Sequence, residues 1–332
     1  MVRVEEKIMP KVAIVIPNWN GEDFLADCLG SLEKQSLKAE IIVVDNGSHD
    51  KSVNIIKNKF PEVTLLEFSD NAGFSGGVNR GIKYAVKNGC GYIALFNNDA
   101  VADKDWLKNL VAATQANKKA GIVTGKFMQS DKKTIDSTGE MLRINGMPHP
   151  RGRNELDTGQ YDTAEDVFAA TGGASLYCTK TLEEIGLFDE KFFAYLEDVD
   201  ISFRAQLAGW KVLYQPTAMA YHKGGATSSK LGSFTRFHTT KNFHLLFLKN
   251  MPGMLFWKYF PLAIMHSLRL AAGAIVHKKY WTHLRAYFAA VALIPHCLHA
   301  RRQIQKNRKV SVDYIDSMLT RKISPTLKKA GK

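Results

Sequence analysis

Asparagine, aspartate and glycine cluster at four points of the first hundred residues, each directly after an apolar run. The clusters are Pro17-Asn18-Trp19-Asn20, Asp45-Asn46-Gly47-Ser48, Asp70-Asn71-Ala72-Gly73 and Asn97-Asn98-Asp99. Taken alone, each is typical of a turn or a helix N-cap. Four of them on the same edge of one sheet would instead form a single polar crevice, lined by the amide and carboxylate groups that bind hydroxyls and hard cations.

A group of three carboxylates marks a second place where chemistry is expected. The stretch YLEDVD puts Glu197, Asp198 and Asp200 in the first turn of a predicted helix over 197–208. Acidic residues at that position are stabilised by the helix dipole without any function. Positions 198 and 200 flank the predicted buried stripe on opposite sides, so only one of them can face the crevice. A carboxylate facing the crevice could accept a proton from an attacking hydroxyl group.

Asp99 and His222 are the candidate metal ligands. A carboxylate at the sheet edge can hold Mg²⁺ or Mn²⁺ against two phosphates, but one carboxylate alone makes a weak site. His222, in AYHKGG, follows a predicted strand and precedes two glycines. It is either a packing residue or the additional ligand that such a site needs.

The segment DNAGFSGGVNRG, residues 70–81, places four glycines at the entry to a predicted helix. It matches neither of the two common nucleotide-binding fingerprints. Glycines ahead of a helix expose backbone N–H groups to an anion, and Asn79 and Arg80 would add donors. A simple connection between a strand and a helix is the alternative.

Alternating strands and helices are predicted to position these residues. Apolar runs predict strands over 11–17, 40–48, 63–68, 91–99 and 121–127, and helical spacing predicts helices over 24–32, 52–59, 78–86 and 106–116. This alternation predicts a parallel sheet with helices on both sides, in which ligands lie beyond the carboxyl ends of the strands. The polar stretch 128–168 is predicted to pass over the crevice, and a strand is predicted over 211–214.

The net charge of +13 is divided unevenly along the 332 residues. Residues 1–222 carry 25 Lys and Arg against 30 Asp and Glu, a net of −5, whereas residues 223–332 carry 20 against two, a net of +18. Such asymmetry predicts an anionic partner for the C-terminal third, which is a membrane surface, nucleic acid or an acidic substrate. No recognised nucleic-acid-binding motif occurs, which disfavours nucleic acid.

The N-terminus and the cysteines both favour a cytoplasmic setting. Residues 1–10 contain four charged side chains and no apolar stretch, so no signal peptide is expected. The cysteines are far apart and form no CxxC pair: they are Cys28, Cys90, Cys178 and Cys297. Reduced thiols and no zinc site are therefore expected.

The segment 243–309 is aromatic, apolar and basic at once. Its apolar run over 259–276 is interrupted by His266 and Arg269, and the run over 286–298 is too short, so no transmembrane span is expected. Aromatic residues interleaved with Lys and Arg favour helices that lie in an anionic membrane interface. Packing on the rest of the chain, or a contact between two copies, is the alternative.

The motifs together resemble the family-2 glycosyltransferases and are most similar to the rhamnosyltransferase-like branch. The resemblance spans about 11–222 in the order VAIVIPNWNGEDFLADCLGSL, IIVVDNGSHDKS, DNAGFSGGVNRGI, LFNNDA, TGGASLY and FFAYLEDVDISFRAQLAGW. The ordered set is specific, although no single member of it is. It implies a GT-A fold in which a mixed, mainly parallel nucleotide-binding sheet (10–127) is joined to an acceptor-binding half (128–230). A helical, basic extension over 231–332 would follow.

The resemblance also implies roles for single residues. Asp198, in the pair with Glu197, would be the general base. Asp99 would bind a divalent cation, Mg²⁺ or Mn²⁺, with His222 as a further ligand, and Asn97 stands where the family has the first aspartate of an Asp-x-Asp triplet. Contacts to the nucleotide sugar are implied for Pro17, Asn18, Asn20, Asp45, Asn71, Gly76, Asn79, Asn97, Asn98, Gly172 and Gly173.

The function implied is inverting transfer of a sugar from dTDP-rhamnose or a UDP-sugar to a hydroxyl of a glycan or lipid-linked acceptor in cell-surface polysaccharide synthesis. The basic extension would hold the enzyme peripherally at the inner face of the cell membrane, and a homodimer contact is the alternative use of its helices. A catalytically silent sugar-nucleotide-binding or scaffold protein is the alternative function. A nucleotidyltransferase would need a basic N-terminal signature that we do not find.

Overall fold

A computed structural model describes residues 10–223 and 232–321 of the chain. The strands within these ranges are β1 Val12–Asn18, β2 Glu40–Asn46, β3 Thr64–Phe68, β4 Tyr92–Phe96, β5 Ala100–Ala102, β6 Ala120–Gln129, β7 Ile135–Ser137, β8 Glu140–Leu142, β9 Pro148–Pro150, β10 Glu165–Asp166, β11 Ala174–Cys178 and β12 Lys211–His222. The helices are α1 Leu25–Glu33, α2 Ser52–Lys59, α3 Gly73–Lys87, α4 Trp106–Ala116, α5 Thr179–Ile185, α6 Glu197–Leu207, α7 Gly232–Asn250, α8 Gly253–Val276, α9 Tyr280–Ala292, α10 Ile294–Lys306 and α11 Val312–Met318.

Ten strands form one mixed sheet in the order β10-β12-β6-β11-β4-β1-β2-β3, with β5 and β7 added at β12 and β6. β1 to β4 are parallel, as are β6 and β12, whereas β11 is antiparallel to both of its neighbours. The predicted fold class, a mixed, mainly parallel sheet flanked by helices, is confirmed. Because β1, β2 and β4 run in parallel, their polar C-terminal ends meet at one edge.

Helices cover both faces of the sheet. On one face, α1, α2 and α4 pack against β1 and β6 in a buried apolar cluster that contains Leu29, Ile56 and Leu107. On the other face, α3, α5 and α6 form a second cluster with Ile82 and Ile201. This two-sided burial explains why the strands are nearly continuous apolar runs in the sequence.

Two elements extend beyond their predicted limits. β12 continues to His222 instead of ending at residue 214, since it pairs with both β6 and β5 over its second half. α3 begins at Gly73, five residues before the predicted start, so the glycine-rich segment is helical. Tight packing accounts for these glycines, because a Cβ on Gly77 would lie 2.4 Å from the Asn46 amide and one on Gly81 would lie 2.3 Å from Val15.

The C-terminal helices pack onto the sheet domain through α7. Phe243 and Leu246 of α7 are buried against Val199 and Phe203 of α6 in a third apolar cluster. α8, α9 and α10 then pack against α7. The predicted boundary near residue 230 falls among residues outside the described ranges, and many contacts join the parts on its two sides.

α8 is, within the described ranges, a helix long and apolar enough to cross a membrane by length and composition. The sequence does not predict a helix that meets this criterion, but meeting it does not by itself show a membrane span. α8 begins at Gly253, so the apolar stretch is longer than the run over 259–276. One side of the helix is nevertheless buried within the fold, through Leu255, Tyr259 and Ala263.

Candidate active site

A cavity of about 760 Å³ lies beyond the carboxyl ends of the central strands. This volume suits a ligand larger than a single sugar. Twelve of the residues predicted to form the site line it: Pro17, Asn18, Asn20, Asn71, Asn97, Asn98, Asp99, Gly172, Gly173, Glu197, Asp198 and His222. Asp99 and Asp198, far apart in sequence, therefore share one hollow.

Hydrogen bonds between side chains connect the tips of three neighbouring strands. The Asn98 amide, after β4, donates to Asn18 Oδ1 at the end of β1 (2.8 Å), and the Asn18 amide donates to Asp45 Oδ1 on β2 (2.9 Å). Ser48 donates to the same carboxylate oxygen from its hydroxyl. This chain of bonds fixes which oxygen and which N–H group of Asn18 and Asn98 remain available to a ligand.

Three predicted contact residues lie behind the cavity wall instead of on it. Asp45 is buried and is used by Asn18 and Ser48. The Asn79 side chain is buried and is bonded to the backbone of Phe188 on both its donor and its acceptor side. Gly76 lies inside α3, where a Cβ would meet Ala72. These three residues do not line the cavity in this structure and support its wall from behind.

Backbone N–H groups at the N-terminus of α3 already donate hydrogen bonds to other groups of the protein. The Ser75 N–H group donates to the Phe193 carbonyl, and Gly73 N–H donates to the Asn71 side chain. Arg80, expected to add a donor for an anion, forms two bonds to the Asp70 carboxylate. The anion site expected at this glycine-rich segment is therefore not formed in this arrangement.

Asp99 and His222 meet on the cavity wall. His222 Nε2 lies 3.2 Å from Asp99 Oδ2, and His222 Nδ1 lies 3.2 Å from Asp136 Oδ2 on β7. Burial lowers the pKa of His222, but the hydrogen bonds to Asp136 and Asp99 raise it to about 9. His222 reaches this position because β12 extends to residue 222.

The side chains at Asp99 fit a divalent cation whose coordination shell is only partly supplied by the protein. The described residues contain no group of three or more His, Cys, Asp or Glu side chains that could hold a metal ion. Asp99 and the Nε2 atom of His222 supply two donors, and an ion bound there would displace the imidazole proton. Asp136 orients the ring through Nδ1, as carboxylates commonly do behind a metal-bound histidine. A diphosphate and water would have to supply the remaining ligands.

Three carboxyl groups, those of Glu140, Glu197 and Asp198, cluster elsewhere in the lining of the same cavity. Asp198 accepts hydrogen bonds from the N–H groups of Gly172 and Val199, both at 2.8 Å, whereas Glu197 Oε2 is buried and has no partner. Burial raises the pKa of Asp198, and burial together with the Asp198 charge raises those of Glu197 and Glu140. Two N–H donors favour the ionised form of Asp198 and partly offset its burial, whereas Glu197 has no such side-chain partners and its pKa is raised further.

Asp200 faces away from the cavity, which settles the alternative between positions 198 and 200. Its carboxylate is fully buried and bonds to Arg204 on its own helix and to Lys249 and Asn250 of α7. It therefore holds two helices together. Of the two positions flanking the buried stripe of α6, only Asp198 is available for chemistry.

A strained loop, residues 192–196, leads into α6 and forms part of the cavity wall. Phe193, Tyr195 and Leu196 all have left-handed backbone angles, with φ of 68°, 70° and 67°. The buried Asn242 amide of α7 donates to three carbonyls of this loop, those of Phe192, Ala194 and Tyr195, at 2.7–3.0 Å. Strain of this kind persists only where the surroundings enforce it.

Several residues that line the cavity were not singled out from the sequence as site residues. The excursion 128–168 contributes Asp136, Glu140 and Arg153, and α7 contributes Phe234 and Thr239. The excursion has no helical or strand periodicity to mark single positions, although its length indicated a functional role. Nothing in the sequence of α7 indicated that it reaches the site.

Comparisons with known proteins agree with this geometry. Residues 13–186 match the model of the family described as Glycosyl transferase family 2. The poly-beta-1,6-N-acetyl-D-glucosamine synthase of Staphylococcus aureus (strain MSSA476) is 23% identical over 257 residues, covering 76% of this chain and 60% of that protein. The chain therefore spans less than two thirds of the length of this relative.

Two solved structures share the fold. GalNAc-T7 with UDP, GalNAc and Mn²⁺ has a TM-score of 0.58 at 16% identity and covers 75% of this chain and 49% of that one. The mannosyltransferase PcManGT from Pyrobaculum calidifontis, in complex with GDP-Man and Mn²⁺, has a TM-score of 0.54 at 16% identity and covers 87% and 88%. At these identities the likeness concerns the fold.

Proposed function

The chain belongs to Glycosyl transferase family 2, and from that premise we propose that it is an inverting enzyme acting on a nucleoside-diphosphate sugar. An acceptor hydroxyl would displace the nucleoside diphosphate from the anomeric carbon in one step. The observation that carries this proposal is the single cavity that both Asp99 and Asp198 line.

Asp198 is proposed as the general base. It lies at the cavity with two backbone donors that keep it ionised, and its pKa is raised by burial, which makes it a stronger base than an exposed carboxylate. Glu197, protonated and without a partner for Oε2, would donate a hydrogen bond to a sugar hydroxyl. These two residues thus take opposite roles because their hydrogen-bond partners differ.

Asp99 and His222 are proposed to hold a divalent cation, Mg²⁺ or Mn²⁺. The proteins GalNAc-T7 and PcManGT, which share the fold, were crystallised with Mn²⁺. Such a cation supplies positive charge for the diphosphate leaving group. The available amide groups of Asn97 and Asn98 beside it would bind the nucleotide, with Pro17, Asn18, Asn20, Asn71, Gly172 and Gly173 forming the rest of the donor pocket.

For the substrates, we propose dTDP-rhamnose or a UDP-sugar as the donor and a glycan or lipid-linked hydroxyl as the acceptor, in cell-surface polysaccharide synthesis. The relative in Staphylococcus aureus is by name a polysaccharide synthase. The net charge of +18 on residues 223–332 supports a peripheral position of the enzyme at the cytoplasmic face of the cell membrane. A homodimer contact through the C-terminal helices is the alternative.

The Asp198→Asn variant separates this proposal from a catalytically silent binding protein. An enzyme should lose sugar transfer by about 1,000-fold or more, because the acceptor proton has no base, while it keeps its affinity for the nucleotide. Transfer is measured with radiolabelled sugar nucleotides, and Asp23→Asn on the exposed surface is the matched control. Unchanged product formation by Asp198→Asn would contradict the role of this residue as base.

A thermal-shift screen of UDP, dTDP and GDP, each with and without Mn²⁺, identifies the nucleotide. A ligand at 100 times its Kd that binds only the folded state adds about 2.7 kcal/mol to the free energy of unfolding. We expect one nucleotide to raise Tm, and more so with Mn²⁺. In Asp99→Asn the additional effect of Mn²⁺ should disappear, and its persistence would argue against Asp99 as a ligand.

A further inference from the structure

α8 and α9 carry an apolar surface that nothing in the described structure covers. On α8, the exposed side chains Met254, Trp257, Ile264, Leu268 and Ile275 recur every three to seven residues, which places them along one side of the helix. Their opposite side, with Leu255, Tyr259, Ala263, Ser267 and Ala274, is buried within the fold. The outer side is thus a stripe of large apolar groups in water.

α9 continues this surface. Trp281, Leu284, Phe288 and Val291 are spaced by three or four residues and are all exposed, Trp281 and Phe288 to about two thirds. The two helices are joined by residues 277–279 and bonded through Ser267 and Tyr287, whose oxygens are 3.0 Å apart. We call the exposed residues of α8 and α9 the apolar face. It groups nine large apolar side chains on two helices, whereas the exposed apolar residues of an ordinary surface are scattered singly.

The charges around the apolar face have one sign. Residues 253–306, which span α8 to α10, contain no Asp or Glu at all. Lys278 and Lys279 are exposed in the turn between α8 and α9. Arg269 of α8 and Arg285 of α9 are exposed as well. Within α8 to α10 the apolar face is bordered only by cations, and Asp316 of α11 is already paired with Lys258. Such a face is complementary to a bilayer that contains anionic lipid, where aromatic groups enter the interface and lysines meet headgroups.

The turn between α8 and α9 lies at the end of α7 that lines the cavity. The helix that runs along α7 is α9: the rings of His244 and Tyr287 are 4.7 Å apart, and burial together with the Arg236 charge lowers the pKa of His283, so α9 runs in the same direction as α7. From Tyr287 back to the start of α9 is about 10 Å of helix, and from His244 back to Phe234 is about 15 Å. The turn before α9 is therefore near the end of α7 that carries Phe234, a cavity residue.

We infer that the apolar face docks onto an anionic membrane surface and brings the cavity close to the lipid headgroups. This inference rests on the proposed glycosyl transfer and adds its partner, because an acceptor on a lipid carrier would reach the cavity from the bilayer. α8 lies on the membrane and does not cross it, since its inner side is held by α7 and Lys258 and Tyr259 bond to Asp316 of α11.

The test is flotation of the full chain with vesicles of phosphatidylcholine alone or mixed equally with phosphatidylglycerol. We expect binding to the anionic vesicles only. The double variant Trp281→Ser, Phe288→Ser should bind the anionic vesicles more weakly, and each of the two substitutions should contribute a factor of at least about ten. The double variant Lys278→Gln, Lys279→Gln should bind roughly 30-fold more weakly, since each lysine near the surface contributes about 1 kcal/mol.

Matched controls change the same residue types away from the face. Lys118→Gln with Lys119→Gln removes two exposed neighbouring lysines beside α4, and Leu156→Ser removes an exposed apolar side chain of the excursion. Both controls should float like the unmodified chain. Equal flotation of the Trp281/Phe288 variant would overturn the inference, as would equal binding to the two vesicle types.

Two further outcomes would assign the face differently and overturn the inference. Protein that resists carbonate extraction would show that α8 spans the bilayer. Self-association in sedimentation, abolished by the Trp281/Phe288 change with no vesicle binding by the unmodified chain, would show a dimer contact. Nucleotide-dependent thermal shifts are measured in parallel, so that failure of docking with intact shifts leaves the proposed glycosyl transfer standing.

Discussion

At the scale of single residues, the site depends on how three strand tips share hydrogen bonds. The bonds from Asn98 to Asn18 and from Asn18 to Asp45 form a fixed relay whose members cannot rotate independently. Gly21 closes against this relay, because a Cβ there would lie 2.3 Å from both Asn18 Oδ1 and Asn98 Nδ2. The positions of the amides beside Asp99 are thus set by a residue that has no side chain.

Gly21→Ala should therefore damage the donor pocket. The added methyl group displaces the Asn18 and Asn98 amides, and kcat/KM for the donor should fall by between about tenfold and about 100-fold. Gly30→Ala is the control, since Gly30 lies in α1 with nothing within 4 Å of its Cβ position. That change should leave activity intact and stabilise the fold by up to about 1 kcal/mol. Equal kinetics for the two variants would contradict the argument.

The burial of Glu140 leads to a prediction about how the free energy of unfolding depends on pH. Burial and the nearby Asp198 charge raise its pKa on folding, so the folded state holds the proton more tightly than the unfolded state does. Its contribution to the free energy of unfolding is complete below the unfolded pKa of about 4.3 and decreases as pH rises, by about 1.4 kcal/mol per pH unit until the folded pKa is reached.

Glu140→Gln removes this dependence. The variant should gain stability relative to the unmodified chain as pH rises from about 4 to 7 in thermal unfolding. Glu33→Gln, an exposed change on α1, should follow the unmodified chain at every pH. A constant Tm difference for Glu140→Gln across this range would show that Glu140 is ionised in the folded state.

Most of the residues that were predicted from type and spacing line the cavity, but not every role in it could be predicted. The strand tips could be predicted because apolar runs that end in Asn and Asp can be recognised in the sequence. Parallel strands then bring the ends of these runs to one edge of the sheet. Asp45 and Asn79 show the limit, since burial behind the wall depends on neighbours from distant segments. Glu140 could not be predicted because its importance comes from its distance to Asp198, not from its own surroundings in sequence.

At the scale of elements, α7 acts on the site through the loop 192–196. Three left-handed residues in four cost on the order of 1–3 kcal/mol each, and the Asn242 amide offsets this with bonds to three carbonyls. Leu196 is also the N-cap residue of α6. The orientation of Glu197 and Asp198 therefore depends on a helix more than forty residues later in the chain.

Asn242→Ala should release this loop. We expect a loss of about 1–3 kcal/mol in the free energy of unfolding, and a fall in kcat larger than any rise in KM for the donor, because Asp198 is displaced while the strand tips are not. Asn88→Ala is matched, as its amide also donates to a backbone carbonyl but at the exposed end of α3. A loss of stability with unchanged kcat would assign Asn242 a purely structural role.

The limits of α3 and β12 depend on tertiary contacts, which is why they were predicted too short. Glycines at 73–81 have poor helix propensity, yet close packing against Asn46 and Val15 requires them there. Pro216 stands in the middle of β12, where a proline disfavours a strand. The pairing with β6 shifts register there and then continues to His222, with β5 pairing on the other side. Local preference gives way to packing in both elements.

At the scale of the whole molecule, a buried ion-pair network joins the C-terminal helices to the sheet domain. Lys249 of α7 lies 2.6 Å from Asp189 and 3.0 Å from Asp200, and His296 of α10 lies 2.9 Å from Asp189. Burial opposes ionisation of Asp189, but Lys249 and His296 hold its pKa well below the usual range. The basic C-terminal part is thus an integral part of the fold as well as a charged surface.

Lys249→Met should destabilise the protein by about 3 kcal/mol, the lower end of the range for a broken buried pair, because it removes a cation shared by two buried carboxylates, which keep Arg204 and His296 as partners. Lys309→Met is the matched control: Lys309 also joins the C-terminal part to the sheet domain, through a 2.7 Å pair with Glu184, but that pair is exposed. Exposed pairs contribute at most about 1 kcal/mol. Urea unfolding at neutral pH measures both variants, and equal midpoints would show that the buried network does not hold the two parts together. Because the pKa of Asp189 is lowered on folding, the difference between the variants should shrink as pH falls below about 4, where the unfolded carboxyl is already protonated.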